Sequence, residues 1–127
     1  MSMRSDLGKA RGAGSAHGGT SHFIAQRATA LALIVLAPWF VITAALTMPD
    51  AGYGSAVEFL AEPLNAVGLI LLVGVGLYHM AIGMQEIIAD YIHKTSTRAV
   101  LLFLNTAAAI VLGVGAVYAV LRVTFGA

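Results

Sequence analysis

Three long apolar stretches, separated by polar segments, set the pattern of this chain. The first runs from Ala28 to Leu46 without a charge and includes ALALIVLAPWF. The second runs from Leu64 to about Ile88 and holds His79, Gln85 and Glu86 near its far end. The third, Ala99 to Leu121, is uncharged, has Asn105 near its start and is closed by Arg122. About 20 helical residues cross a hydrocarbon core of about 30 Å, so each stretch predicts one transmembrane helix (about 28–46, 64–88 and 99–121). Proline removes a backbone donor and crowds the preceding turn, so Pro38 predicts a kink in the first span. Pro49, Asp50, Gly52 and Gly54 mark Thr47–Glu62 as a loop, and Pro63 suits the first position of the second helix. Asp90 to Arg98 reads as a polar connection. Met1 to Ser21 is glycine-rich, with Arg4, Lys9 and Arg11 against Asp6, and reads as a flexible tail. The expected fold is all-α and integral to the membrane: a tail over 1–21, then a three-helix anchor over 22–127.

Composition narrows the class. Hydrophobic residues make up 59% of the 127 residues and charged residues 10%. A soluble domain carries about 25% charged residues to face water. The net charge of +1 gives no reason to expect nucleic acid as a partner. Cysteine is absent, which excludes disulfides and thiolate-held iron–sulfur clusters within the chain. No apolar core follows the basic residues of the tail before the first span, so the tail is not a secretory signal. Nor does it form an amphipathic basic helix of the transit-peptide kind, and a bacterial inner membrane is the expected home.

Charge also predicts orientation. The tail and the mouth of the first span carry Arg4, Lys9, Arg11 and Arg27, and the second connection carries Lys94 and Arg98. The first loop has only acids: Asp50, Glu58 and Glu62. The positive-inside rule then puts the N-terminus and the second connection in the cytoplasm, with Ala127 on the periplasmic side. Arg122 alone opposes this.

Ionisable groups inside a span are costly and point to function. At 100° per residue, Gly83, Glu86 and Asp90 lie at about 40°, −20° and 20° from His79, forming one stripe. The stripe climbs about 16 Å from within the hydrocarbon to the membrane surface. A helical histidine followed one turn later by glycine suits haem ligation, because imidazole offers a neutral nitrogen and glycine leaves room for a flat ligand. Gly74 and Gly76 thin the same helix. The alternative is a neutral histidine bonded to a neighbouring helix. His93 lies about 21 Å beyond His79 along a continuous helix, too far to share its iron. His17 and His22 lie outside the apolar runs, so if haem is present its other ligand is expected from another chain. Arg27 either snorkels to head groups or pairs with a buried anion such as a haem propionate. Asp90 and Tyr91 either form a solvated helix end or serve a quinone: a phenol donates to a carbonyl, and a carboxylate tunes or relays the proton.

With Arg27-Ala28-Thr29-Ala30 opening the first span, His79-Met80-Ala81-Ile82-Gly83-Met84 in the second and Asp90-Tyr91 closing it, the chain resembles the hydrophobic membrane anchor of succinate dehydrogenase, the small partner of the cytochrome b subunit. The resemblance covers Ser21 to the end, and the histidine-to-Asp-Tyr spacing is its specific part. The cytochrome b subunit itself is less similar, since its histidine-arginine-threonine-glycine signature is missing. The resemblance implies that His79 is an axial ligand of haem b, with the other histidine from the cytochrome b subunit. Arg27 would lie near the propionates, Tyr91 would bond ubiquinone and Asp90 would support that site. It implies flavoprotein and iron–sulfur partners, so that electrons from succinate reach ubiquinone, with no succinate-oxidising residues in this chain. Where some relatives carry a histidine–aspartate pair before the first span, this chain has Ser21-His22.

Three other readings compete. A fumarate reductase anchor shares the architecture with electrons moving the other way. A small proton-coupled transporter subunit would use His79 and Glu86 as a relay, although no internal repeat of helices is visible. A purely structural anchor would have His79 only packing.

Overall fold

The computed structural model describes residues 17–126; the tail over 1–16, with Arg4, Asp6, Lys9 and Arg11, lies outside them. Four helices follow one another: α1 (His17–Thr47), α2 (Tyr53–Ala61), α3 (Pro63–Tyr91) and α4 (Thr95–Thr124). Helices α1, α3 and α4 have 31, 29 and 30 residues. At 1.5 Å per residue they extend about 44–47 Å, enough to cross the hydrocarbon and enter both head-group layers. All three are apolar enough to cross a membrane. Their backbone groups must be satisfied internally in lipid, which selects helix over any other conformation for these runs.

Every expected span is present, but the boundaries move outward. Helix α1 starts at His17, so residues 17–21 of the expected tail are helical. It continues through Pro38 without interruption. Glu62, the residue before Pro63, is extended (φ −73°, ψ 119°), as the proline ring requires, and Pro63 opens α3. The Ile92 N–H bonds to the Ile88 carbonyl and ends α3. Beyond α4, Gly126 takes a left-handed conformation at φ +68° that a side chain would disfavour.

Part of the expected loop is a helix. Asp50 Oδ1 accepts from the Gly52 N–H and the Ser55 hydroxyl, both at 2.7 Å, and this turn leads into α2. The two bonds, that from Ser55 foremost, hold the Asp50 carboxyl below its usual value of 3.8. Phe59 is buried and meets Phe40 of α1 edge to face, with ring centroids 5.6 Å apart. A helix C-terminus leaves carbonyls without intrahelical donors. Here Asn65 of α3 donates to the Phe59 carbonyl at 2.9 Å, and the Thr124 hydroxyl of α4 lies 3.0 Å from the Leu60 carbonyl and 2.9 Å from its own Val120 carbonyl, which share its one proton. Helix α2 is thereby seated on the ends of α3 and α4.

Helix α3 is central, packed on α1 along one side and on α4 along the other. Trp39 of α1 lies directly against Gly68, where a Cβ would collide with the indole. Asn105 of α4 donates to the Ala81 carbonyl at 2.9 Å, an interhelical bond inside the membrane layer. Large apolar side chains such as Val35, Phe103 and Val111 are about two-thirds exposed or more (68%, 72% and 69%). Such faces need lipid or partner helices to cover them.

Candidate functional site

Helices α1 and α3 run antiparallel, and their contacts form a ladder. From one end inward, His22 meets Glu86, Gln26 meets Gly83, Thr29 meets His79, Leu33 approaches Gly76 and Trp39 rests on Gly68. The first three rungs are polar. His22, Gln26 and Thr29 share a face because their spacings of four and three residues each return close to one helical turn. The stripe expected on α3 is therefore real as a surface, and this chain's own first helix covers its inner part.

His79 sits half-buried on the third rung, with Nδ1 2.8 Å from the Thr29 hydroxyl oxygen. The same hydroxyl lies 2.8 Å from the Ala25 carbonyl and 3.1 Å from that of Gln26. Nε2 makes no hydrogen bond among the described residues. One rung outward, a Cβ on Gly83 would stand 3.3 Å from Gln26 Nε2. The glycine thus admits the Gln26 side chain of helix α1. Gly74, with nothing within 4 Å of an added Cβ, is the open glycine of this helix. Gln26 Oε1 is buried and accepts no hydrogen bond among the described residues. At the mouth, His22 Nδ1 is 3.1 Å from Glu86 Oε1, an ion pair when the imidazole is protonated. Its side chains are 32% and 50% exposed, so it contributes at most about 1 kcal/mol.

The other expected site residues stand apart from this ladder. Arg27 lies about 160° around α1 from Thr29. It is exposed and stacks over the Phe23 ring at 4.9 Å. Asp90 continues the α3 stripe to the surface and is exposed. Tyr91, one residue on, is about 120° from His79. It is 77% exposed and borders a groove of about 440 Å³ between α3 and α4, with Met84, Ile87, Ile88, Leu104 and Asn105. His79 and Tyr91 therefore address different flanks of α3, and α1 covers only the first. His93 is exposed beyond the end of α3, and nothing is described of the His17 side chain.

The donor set fits half of a two-histidine haem site: one imidazole in the membrane layer with a nitrogen that makes no hydrogen bond among the described residues. Among the described residues, no three His, Cys, Asp or Glu side chains gather as a metal cluster. Thr29 figures in the sequence only within the Arg27-Ala28-Thr29-Ala30 motif and His22 only beside Ser21, with no role toward His79 or Glu86. Only their common face opposite His79, Gly83 and Glu86 marks them.

Residues 1–120 match the family described as succinate dehydrogenase/fumarate reductase transmembrane subunit. The chain is 34% identical over 122 residues to the succinate dehydrogenase hydrophobic membrane anchor subunit of Paracoccus denitrificans, covering 93% of this chain and 90% of that protein. It is 32% identical over 96 residues to the subunit of the same name from Rickettsia bellii, covering 76% of each. That from Rickettsia conorii is 32% identical over 97 residues, covering 72% of this chain and 75% of the relative. No solved structure matches the chain.

Proposed function

This chain belongs to the succinate dehydrogenase/fumarate reductase transmembrane subunit family, and from that premise we propose that it anchors a succinate dehydrogenase and helps hold a haem b and a ubiquinone. The relatives reported above are all named as succinate dehydrogenase anchors, which favours that direction over fumarate reduction. A family of this kind also argues against the transporter reading of His79 and Glu86. The observation that carries the haem assignment is His79 itself: it stands within a span, Thr29 engages one nitrogen, and the other makes no hydrogen bond among the described residues.

In this reading His79 and a histidine of the cytochrome b subunit would together hold the haem iron. Haem, when bound, supplies a one-electron carrier within the membrane. The chain's own work is to present Nε2, to hold the α1–α3 pair in register and to keep water from the inner rungs. Arg27 serves a propionate from the outer face of α1, where its guanidinium is accessible to a partner-held group. Tyr91 donates its phenol proton to a quinone carbonyl at the surface end of α3, and Asp90 supports that site. The groove between α3 and α4 beside Tyr91 gives an apolar quinone a place to lie. Flavoprotein, iron–sulfur and cytochrome b subunits are the partners. The proposed location is a bacterial inner membrane, and the Lys/Arg distribution supports placing the N-terminal side in the cytoplasm.

The test is Tyr91→Phe in the purified complex. It keeps the ring and removes one hydrogen bond, worth about 1.5–3 kcal/mol to a partly charged oxygen, or roughly 10- to 150-fold. Succinate–ubiquinone activity should fall by that order. Reduction of artificial dyes upstream and the haem content should stay normal. Normal ubiquinone kinetics would reduce Tyr91 to an interfacial anchor.

A further inference from the structure

Resting on the haem reading above, we propose that Thr29 is the positioning residue of His79: bonded to the backbone of its own helix, it accepts the Nδ1 proton and leaves Nε2 bare for iron. A threonine hydroxyl has one proton and two lone pairs. Two helix carbonyls lie within its reach, Ala25 at 2.8 Å and Gln26 at 3.1 Å, the usual back-bond of a helical threonine. The proton is committed there. A 2.8 Å approach between Thr29 Oγ1 and His79 Nδ1 then needs its hydrogen from the imidazole. A neutral imidazole carries one ring proton, so Nε2 holds an unprotonated lone pair. The opposite arrangement, with the hydroxyl donating to Nδ1, protonates Nε2 and removes its capacity to bind a metal.

Metal-bound histidines generally donate the second nitrogen to an oxygen, which fixes tautomer and ring plane and raises ligand basicity. Thr29 meets that requirement from a neighbouring span. The packing of Leu33 on Gly76 and Trp39 on Gly68 extends along the same interface. Threonine is stiff at χ1, so its oxygen has few alternative positions. Neither Gln26, directed at Gly83, nor His22, directed at Glu86, bonds His79.

Thr29→Val keeps the branched shape and deletes the acceptor. Thr29→Ala and Thr29→Ser form a second pair that differs by the hydroxyl alone. Each is to be purified as the whole complex from membranes, beside His79→Ala. Haem affinity, the haem midpoint potential and the electron paramagnetic resonance of the ferric haem are the readouts. Thr29→Val and Thr29→Ala should lose about 10- to 100-fold in haem affinity. Their potential should rise, because a less basic imidazole stabilises ferric iron less, and their resonance should shift. Thr29→Ser should match the parent in all three. If serine and alanine behave alike, or if valine leaves potential and resonance unchanged while His79→Ala loses the haem signature, the positioning role is overturned and the haem ligand stands. If His79→Ala keeps the parent's resonance and potential, the haem reading fails and this inference with it.

Discussion

Gly68 shows how much one absent carbon decides. Its missing Cβ lets the Trp39 ring lie on the α3 backbone, and any substituent there forces the indole away. In a packed interface such a clash costs about 1–3 kcal/mol. Gly68→Ala should therefore lower the melting temperature of the purified protein in detergent. Gly74→Ala, which meets nothing within 4 Å, should leave the isolated chain's melting unchanged. Equal melting of both variants and the parent would contradict this packing. At the same scale, His79, Gly83, Glu86 and Asp90 were legible in the sequence as one stripe, because 100° per residue is a property of any helix. Their partners were not. Helix α1 is apolar over most of its circumference, and the mark of its α3-facing side is the spacing of polar His22, Gln26 and Thr29 by four and three residues. A single residue step of 100° turns Tyr91 toward α4, while Asp90 continues the His79 stripe to the surface.

At the scale of elements, apolar length revealed the three spans but not where the helices end. Hydropathy falls at Arg27, while the helix persists to His17, since Ser21, His22 and Gln26 suit the membrane surface without breaking the backbone ladder. Helix α2 was hidden by Pro49, Gly52 and Gly54 on its N-terminal side and by a length of 9 residues, too short for a span. Its seat is tertiary: two side chains from other helices satisfy its last carbonyls. Asn65→Leu with Thr124→Val should leave both carbonyls without those donors. Amide hydrogen exchange across Tyr53–Ala61 should accelerate while that of α3 holds; unchanged protection of α2 would show that apolar packing alone seats it. The turn before α2 has its own pH dependence. A carboxyl held below 3.8 favours the turn above that pH, and the contribution is lost as pH falls through the lowered value. The protection factor of the Gly52 amide, its exchange measured against the intrinsic rate at each pH, should fall on acidification through that range. Asp50→Asn, which cannot titrate, should abolish the dependence, and a persistent acid-induced loss of protection in that variant would point to another group.

At the scale of the molecule, α3 joins α1 and α4, and the outward faces of all three spans remain apolar. Such a bundle is built to be surrounded by lipid and partner helices. Topology has a direct check: a reporter after Ala127 should be active outside the cytoplasm, and one near Thr95 inside it. A cytoplasmic signal from Ala127 would contradict the three-span arrangement. The proposed haem shared with another chain depends, on this side, on His79. The measurement that addresses it most directly is the reduced-minus-oxidised optical spectrum of the purified complex, with the parent chain and with His79→Ala. A low-spin b-type spectrum is expected in the first, and in the second a loss of haem or a change of spin state, since only the partner's histidine would remain. An identical low-spin spectrum and unchanged axial ligation in His79→Ala would contradict it.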